Sequence, residues 1–272
     1  MSSFPFNQEN INKLIEISKS AGKAIMDIYH SNLHIKSKKD SSPLTKADII
    51  SNEIICSALN KLDPSIPIIS EESSDISFNH RSKWKDYWLI DPLDGTKEFI
   101  KKNGEFTTNI AFISDNQPQF GIIHAPAINQ TFWGDKENGS FLLDSDCYSG
   151  IKKIGVSKER DAKYRIVTSR SHPSVKLELF LGALDGYEII KMGSSLKFCL
   201  IANGQADFYL RFGPTSEWDT AAGDAILRFA GGRVCDLNGH EIKYNLKESY
   251  LNSDFIASKS QKMQDGLIEI LD

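Results

Sequence analysis

Cysteine is scarce in this chain of 272 residues: Cys56, Cys147, Cys199 and Cys235 stand far apart and form no C-x-x-C pair. That spacing excludes a disulfide scaffold and a thiolate zinc site. Cys56 and Cys199 lie among apolar neighbours at helical positions and read as core thiols, which fits a reducing, cytoplasmic home. The six histidines are scattered without H-x-x-x-H spacing, against a zinc enzyme. Basic residues do not dominate: 32 Lys and Arg face 36 Asp and Glu, a net charge of −4. The chain therefore lacks the general footprint of a protein that binds nucleic-acid polymers. No apolar run approaches the roughly 18–20 residues that span a bilayer, so no transmembrane segment is expected. Residues 1–10 lack the basic start and apolar stretch of a signal peptide. Repeats and low-complexity tracts are missing too.

What the chain has is 40% hydrophobic and 10% aromatic residues, ample for a globular core. Its length fits one large domain or two smaller ones sharing a core. Ile11, Leu14, Ile15, Ala21, Ile25 and Ile28 recur at helical intervals and predict an amphipathic first helix. The basic stretch 36–40 reads as a loop or hairpin tip. A second helix opens at T-K-A-D, Thr45 to Asp48, and ends before Pro64 and Pro67. Ile66 to Ser70 reads as a short buried strand running into Glu71. Phe106, Thr108, Ile110 and Phe112 alternate with Thr107, Asn109, Ala111 and Ile113, and strands follow at 120–124, 131–133 and 140–143, an antiparallel meander. From about Ile154 the texture changes. Strands at 164–168, 187–190, 207–212, 233–236 and 255–258 alternate with helices after Pro173, from Ser194, over 220–230 and from Gln261. Such alternation suggests a mostly covered, mixed sheet. The class is thus α+β with α/β character. Gly150 divides an N-terminal α+β half, 1–150, from a C-terminal α/β half, 151–272.

The segment D-P-L-D-G-T-K-E-F-I from Asp91 carries the most chemistry. It follows the strand-like run 87–90 and sets two carboxylates three positions apart around a proline. Pro92 cannot continue a central strand and Gly95 suits a tight turn. Asp91 and Asp94 should converge where the strand ends, with the Leu93 carbonyl between them. Two carboxylates and a carbonyl make a hard-oxygen pocket suited to Mg²⁺. Asp-Pro and Asp-Gly are also ordinary turn formers, so the segment alone does not specify a metal. Three other acids have the same character: Asp48 in T-K-A-D, Glu71 after its strand, and Asp219 in W-D-T-A-A-G-D, which Asp224 closes. Singly, these are a first-turn acid, a loop glutamate and a helix cap. A cluster of such acids would repel phosphate unless cations lay between them, so phosphate chemistry here requires metal.

In order and wording, these pieces resemble the inositol monophosphatase-like superfamily of Mg²⁺-dependent, lithium-sensitive phosphatases. D-P-L-D-G-T-K-E-F-I-K-K-N-G-E-F-T-T-N-I-A from Asp91, G-S-S-L-K-F-C-L-I-A-N-G-Q-A from Gly193 and R-F-G-P-T-S-E-W-D-T-A-A-G from Arg211 are similar to its bacterial CysQ-type branch, the 3′(2′),5′-bisphosphate nucleotidases. Simple inositol phosphatases usually carry Thr-Asn-Phe where this chain has Lys97, Glu98 and Phe99. The resemblance covers essentially the whole chain. It implies a layered α/β/α/β/α sandwich with the site at the junction of its halves. It implies that Glu71, Asp91, the Leu93 carbonyl, Asp94 and Asp219 hold two or three Mg²⁺ ions, which Mn²⁺ can replace. It makes Glu71 a catalytic ligand, and Asp48 and Thr96 the pair that orients and deprotonates water.

Phosphate monoester hydrolysis is among the slowest uncatalysed reactions, and side-chain acid–base catalysis usually supplies only about 10²–10⁴-fold. Metal electrostatics and positioning must supply much of the rest. In-line attack by activated water follows, with the Thr96 hydroxyl bonded to Asp48 and no protein nucleophile. The N–H groups of Gly95 and Thr96 are expected to bind phosphate oxygens as an anion nest. Gly193, Ser194, Ser195 and Lys197 read as a glycine-serine turn opening a helix, a natural end for the second phosphate. Glu71, Leu93, Asp94 and Asp219 would also touch the substrate. That substrate is expected to be a small nucleotide bisphosphate, adenosine 3′,5′-bisphosphate (PAP) or its sulfated analogue PAPS, cleaved to AMP and phosphate in the case of PAP. Inositol monophosphate and fructose 1,6-bisphosphate are the rival substrates, and a non-catalytic nucleotide- or metal-binding regulator is the rival role. The location is cytoplasmic, with at most peripheral association with the inner membrane face.

Overall fold

The computed structural model describes residues 4–31, 43–145, 150–158, 163–171 and 174–271. Cys147, Pro173 and the basic stretch 36–40 lie outside them. Helix α1 (Gln8–His30) starts where the Asn7 side chain accepts the Asn10 N–H, and it buries Ile11, Leu14, Ile15, Ala21 and Ile25. Helix α2 (Pro43–Leu62) begins two residues ahead of Thr45. Strand β1 (Ile68–Ser70) leads into a 3₁₀ turn, Glu71–Ser73, and the short helix α3 (Phe78–Arg81). Strand β2 (Asp86–Asp94) is followed by α4 (Thr96–Ile100). Then come β3 (Thr107–Ser114), β4 (Gln117–Ala125), β5 (Gln130–Asp135), β6 (Gly139–Asp144) and β7 (Ile151–Ile154). These seven strands form one sheet in chain order, with β1 parallel to β2 and the rest antiparallel.

The remaining elements are β8 (Tyr164–Ser169), α5 (Val175–Gly182), β9 (Tyr187–Met192), α6 (Leu196–Ala202), β10 (Phe208–Arg211), α7 (Glu217–Phe229), β11 (Arg233–Asp236), β12 (Phe255–Ser258) and α8 (Gln261–Leu271). Their strands make a second sheet in the order β11-β12-β10-β8-β9, parallel at β10/β8/β9 and antiparallel about β12.

Three clusters stack these elements. Ile11, Leu14 and Leu59 of the first two helices meet Trp88, Ile90, Ile110 and Phe112 on the outer face of the first sheet. Leu89, Ala111 and Ile123 of its inner face meet Phe198 and Ile201 of α6 and Ala222 and Ile226 of α7, together with Val167, Tyr209 and Ala257 of the second sheet. Phe180 and Leu267 of α5 and α8 cover Ile166, Phe208 and Ile256 on the far side. The result is the expected α/β/α/β/α sandwich. The period-two alternation of β3 splits its side chains between two helical layers, so no face of that strand meets solvent.

Some boundaries differ from the sequence reading. Strand β7 was not expected: its residues 151–153 are exposed and only Ile154 is buried, so it carries little hydrophobic signal. It pairs with β6, which carries the first sheet to residue 154, beyond Gly150. Helix α7 starts three residues before Thr220 because Ser216 and Asp219 form a capping box.

The central helix approaches the first sheet closely at Gly121. A Cβ there would lie 2.3 Å from the Ala222 carbonyl oxygen and 2.8 Å from Ala225 Cβ. Backbone cannot move aside as a side-chain tip can, so Gly121→Ala should cost about 1–3 kcal/mol, measured by urea unfolding. A second prediction concerns acid. His124 is 4% exposed, and its Nδ1 shares a 2.9 Å hydrogen bond with Thr131 Oγ1. Burial lowers its pKa from 6.5 to about 4. The unfolded chain then takes up this proton before the folded one does. Stability should therefore fall as pH drops from about 6.5 towards 4, by roughly 3 kcal/mol at most from this group. His124→Gln should flatten that slope in unfolding experiments between pH 4 and 7.

Candidate active site

Strand β2 does not stop at Asp91. The pairing Asp91↔Asn109 is followed by Asp94↔Thr107, so one extra residue is accommodated between them. This bulge absorbs Pro92, which has no N–H to give the ladder, and carries the strand to Asp94. The Pro92 carbonyl instead accepts the Ser51 hydroxyl of α2 at 2.7 Å. Leu93 is fully buried with Ile25, Phe99 and Phe106, so its side chain anchors the bulge while its backbone reaches the cleft. The Leu93 N–H donates to Asp91 Oδ1 at 3.1 Å. Gly95, at φ 90°, caps α4 in the left-handed region. A Cβ there would meet the Glu105 carbonyl at 2.9 Å and Ser194 at 3.1 Å.

Asp91, Asp94 and Asp219 converge as expected: each offers a carboxylate oxygen within 4.8 Å of the others'. Every one is held by donors. Asp94 Oδ2 accepts the Ser195 N–H at 2.6 Å and the Ser195 hydroxyl at 2.7 Å. Asp219 Oδ2 accepts the Ser216 N–H at 2.8 Å. Asp219 is therefore the third residue of its helix rather than the cap itself. Burial, then the charges of Asp94, Glu71 and Asp219, hold Asp91 well above the usual carboxylate range. Burial and the Asp94 charge push Asp219 up to about 7. Glu71, exposed at the mouth of the cleft, is raised by the desolvation of its carboxyl and by Asp94.

The cleft has a volume of about 230 Å³ and draws on both sides of residue 150. Glu71, Asp91, Leu93, Asp94, Gly95, Thr96, Ser194, Ser195, Lys197 and Asp219 all line it. Asp48 and Gly193 are not among its lining residues. Asp48 is 9% exposed and sits near Glu71 and Glu72, and burial plus those two charges raise its pKa to about 7. Among the described residues no hydrogen bond joins it to Thr96. Gly193 has a different duty from the expected one. Its N–H donates to Glu105 Oε2 at 2.7 Å, and a Cβ would collide with Glu98 Cγ at 2.5 Å. Glu105 is in turn gripped by Arg170 through two bonds of 2.7 and 2.6 Å.

The start of α6 is likewise committed, because its Ser195 cap serves Asp94. Lys197 is 7% exposed, donates to the Ser194 carbonyl and lies 5.3 Å from the Tyr209 ring centre. Burial lowers its pKa to about 8. Beside it, Arg211 is 8% exposed and donates to the Pro214 carbonyl at 2.9 Å, while its buried Nε has no partner among the described residues. Arg211, Tyr209, Thr215 and Thr220 also line the cleft. The sequence reading had not assigned them. Arg211, Thr215 and Thr220 lie inside the R-F-G-P-T-S-E-W-D-T-A-A-G stretch, which was their only signal. Asp224 is fully buried away from the cleft, where it accepts the Tyr244 hydroxyl at 3.1 Å and pairs with Arg228 at 3.4 Å.

Comparison with known proteins points one way. The model of the inositol monophosphatase family matches residues 7–272. The 3′(2′),5′-bisphosphate nucleotidase CysQ of Escherichia coli K12 is 42% identical over 254 residues, covering 91% of this chain and 99% of that protein. Its namesake from Buchnera aphidicola is 43% identical over 252 residues, covering 91% and 93%. The crystal structure of CysQ from Bacteroides thetaiotaomicron, a bacterial member of the inositol monophosphatase family, superposes with a TM-score of 0.85 at 36% identity, over 94% of this chain and 99% of that one.

The crowding of buried Asp91 against half-buried Asp94 and Asp219 makes its own prediction. Asp91→Asn keeps an oxygen to accept the Leu93 N–H and removes one like charge. It should raise the melting temperature of the metal-free protein by about 2–4 °C and weaken the further rise produced by Mg²⁺ or Mn²⁺. Calorimetry with and without the ion measures both.

Proposed function

The chain belongs to the inositol monophosphatase family, and from that premise we propose that it is a Mg²⁺-dependent 3′(2′),5′-bisphosphate nucleotidase. It would hydrolyse the 3′-phosphate of adenosine 3′,5′-bisphosphate to give AMP and phosphate. The observation that carries the reading is the convergence of Asp91, Asp94 and Asp219 within 4.8 Å in a cleft that buried Lys197 and Arg211 also line. Relatives of more than 40% identity that bear the nucleotidase name support the substrate.

The donor set fits a hard divalent cation. Its oxygens are carboxylates held together against mutual repulsion, and burial first, then their neighbours' charges, raise their pKa values. Family members are metal-dependent. Here Glu71, Asp91, the Leu93 carbonyl, Asp94 and Asp219 would hold two or three Mg²⁺ ions, with Mn²⁺ able to substitute. When bound, Mg²⁺ supplies Lewis-acid stabilisation of charge on the phosphoryl and leaving oxygens and lowers the pKa of water.

The protein's residues do the positioning. Ser195, Ser216 and the Leu93 N–H fix the rotamers of Asp94, Asp219 and Asp91, so the carboxylates need no rearrangement when the ligand arrives. Thr96 opens α4 on the cleft wall and would orient the attacking water through its hydroxyl. Asp48, buried near Glu71 and Glu72, would receive the proton. The first N–H groups of α4, orphans of every helix start, face phosphate oxygens in this reading. Lys197 and Arg211 would hold the phosphate that is not cleaved. The uncharged sugar body lies between the two phosphates, in keeping with a cleft lined by both acidic and basic side chains. As a small-molecule enzyme it has no use for a nucleic-acid polymer. Among the described residues no helix is long and apolar enough to cross a membrane.

Phosphate release from adenosine 3′,5′-bisphosphate, inositol 1-phosphate and fructose 1,6-bisphosphate, each with and without Mg²⁺ and with added Li⁺, tests the reading. The bisphosphate nucleotide should be the best substrate, and turnover should vanish without Mg²⁺. Asp94→Asn should lower kcat by more than about 100-fold, beyond what loss of a residue behind the ligands costs, with its circular dichroism unchanged. Equal or better turnover of either sugar phosphate would overturn the substrate assignment.

A further inference from the structure

Between the second-last and last strands, residues 244–252 hydrogen-bond to the turn that follows Glu71 and to the turn that precedes Asp219. At the far end, the Asn252 N–H donates to the Thr215 carbonyl at 2.8 Å. The Asn252 side-chain amide reaches Thr215 Oγ1 at 3.2 Å, the Ser216 carbonyl at 2.9 Å and Thr220 Oγ1 at 3.0 Å. One side chain thereby grips the turn that precedes α7 and its first helical turn. Between those contacts stands Ser216, whose N–H orients Asp219. The Tyr250 carbonyl accepts the Glu217 N–H at 2.8 Å, and Glu217 Oε2 accepts the Asn245 N–H at 2.8 Å.

The same segment holds the turn that carries Glu71. The Tyr250 hydroxyl donates to the Ser74 carbonyl at 3.1 Å, at the end of the 3₁₀ turn that begins with Glu71. Arg81, 1% exposed, stacks its guanidinium 4.0 Å from the Tyr250 ring centre and donates to Asn245 Oδ1 and to the carbonyls of Lys247 and Glu248. The Asn245 amide returns a bond to the Arg81 carbonyl at 2.7 Å. Buried groups of this kind are costly unless paired, and here the pairings tie segment 244–252 to the Glu71–Arg81 region on one side and to the start of α7 on the other.

We propose that residues 244–252 are a strap that sets the separation of Glu71 from Asp219, with Asn252 and Tyr250 as its positioning residues; this rests on the metal-centre reading above. Glu71 and Asp219 are separated by nearly 150 positions of chain and come from different layers. Neither the first sheet nor α7 alone fixes their spacing. The strap bonds to both turns at once, and neither of its positioning residues lines the cleft, so its effect reaches the ion only through the ligands it holds. Groups standing behind metal ligands typically change affinity by about 10–100-fold when removed.

The experiment measures Mn²⁺ binding to the metal-free full chain by isothermal titration calorimetry, alongside melting temperature without metal, kcat and KM. Tyr250→Phe removes the hydroxyl's bonds to Ser74 and to the Arg81 side chain but keeps the ring on Arg81, so it leaves the fold standing even if Asn252→Ala does not. Both variants should bind Mn²⁺ about 10–100-fold more weakly than wild type, with kcat at fixed sub-saturating Mg²⁺ lowered, KM little changed and activity restored at high Mg²⁺. Leu246→Ala on the same strap, with a side chain 56% exposed, should bind Mn²⁺ as wild type does. Wild-type Mn²⁺ affinity in Tyr250→Phe and in folded Asn252→Ala overturns the strap alone, as does an equal loss in Leu246→Ala. Failure of the wild-type chain itself to bind Mn²⁺ would overturn the metal centre and the strap together.

Discussion

Repulsion among Asp91, Asp94 and Asp219 is the constraint that the rest of the architecture serves. Carboxylates within 4.8 Å of one another in a desolvated wall cannot all be ionised without a compensating cation. Burial sharpens this, since charge–charge terms grow as water is excluded. A protein that places them so must hold them there by other means. The bulge at Pro92 and the buried Leu93 side chain secure Asp91, the Ser195 cap secures Asp94, and the capping box of α7 secures Asp219. Each acid is thus fixed by backbone geometry at a strand end or a helix start, where donors are left over from regular pairing. The energetic penalty is accepted at one point and offset by the core beneath it.

That core explains why the site can be rigid. The central helices α6 and α7 are enclosed by sheets on both sides, and the glycines at 121 and 223 let helix meet strand and helix meet helix at closer range than any side chain allows. A Cβ at Gly223 would lie 2.5 Å from the Phe198 ring. Both helices that frame the cleft therefore have little freedom to tilt. Their first turns carry Ser195 and Asp219, so packing precision passes directly to the acids. The same enclosure buries Lys197 and Arg211 and adds positive charge to the cleft that the acids line.

Several features were legible in the residues before any geometry. The helical spacing of Ile11 to Ile25 and the alternation of Phe106 to Ile113 identified the elements, because burial on one or two faces imposes a period that survives in sequence. The D-P-L-D-G-T word identified the acid turn, since proline, glycine and aspartate each have a narrow backbone role. Less visible was β7, whose residues 151–153 face solvent and so carry no apolar pattern. The early start of α7 was hidden because its cap is a serine among other polar residues. Gly193 read as part of an anion site, yet its amide is taken by Glu105 from a distant loop, a pairing that no local spacing announces.

What the sequence determined by itself is the chemistry available: a set of hard oxygen donors, no thiol or imidazole centre, and enough apolar periodicity to enclose them in layers. What only the tertiary structure decided is which of those groups share a space. Arg211 and Tyr209 entered the cleft, while Asp224 left it for Tyr244 and Arg228, although it lies only five positions from Asp219. Side-chain identity is a local property, and five positions along a helix already turn an acid to the other face. Which face meets a cleft depends on the packing of α7 against two sheets at once, and that packing is the sum of contacts between residues far apart in the chain.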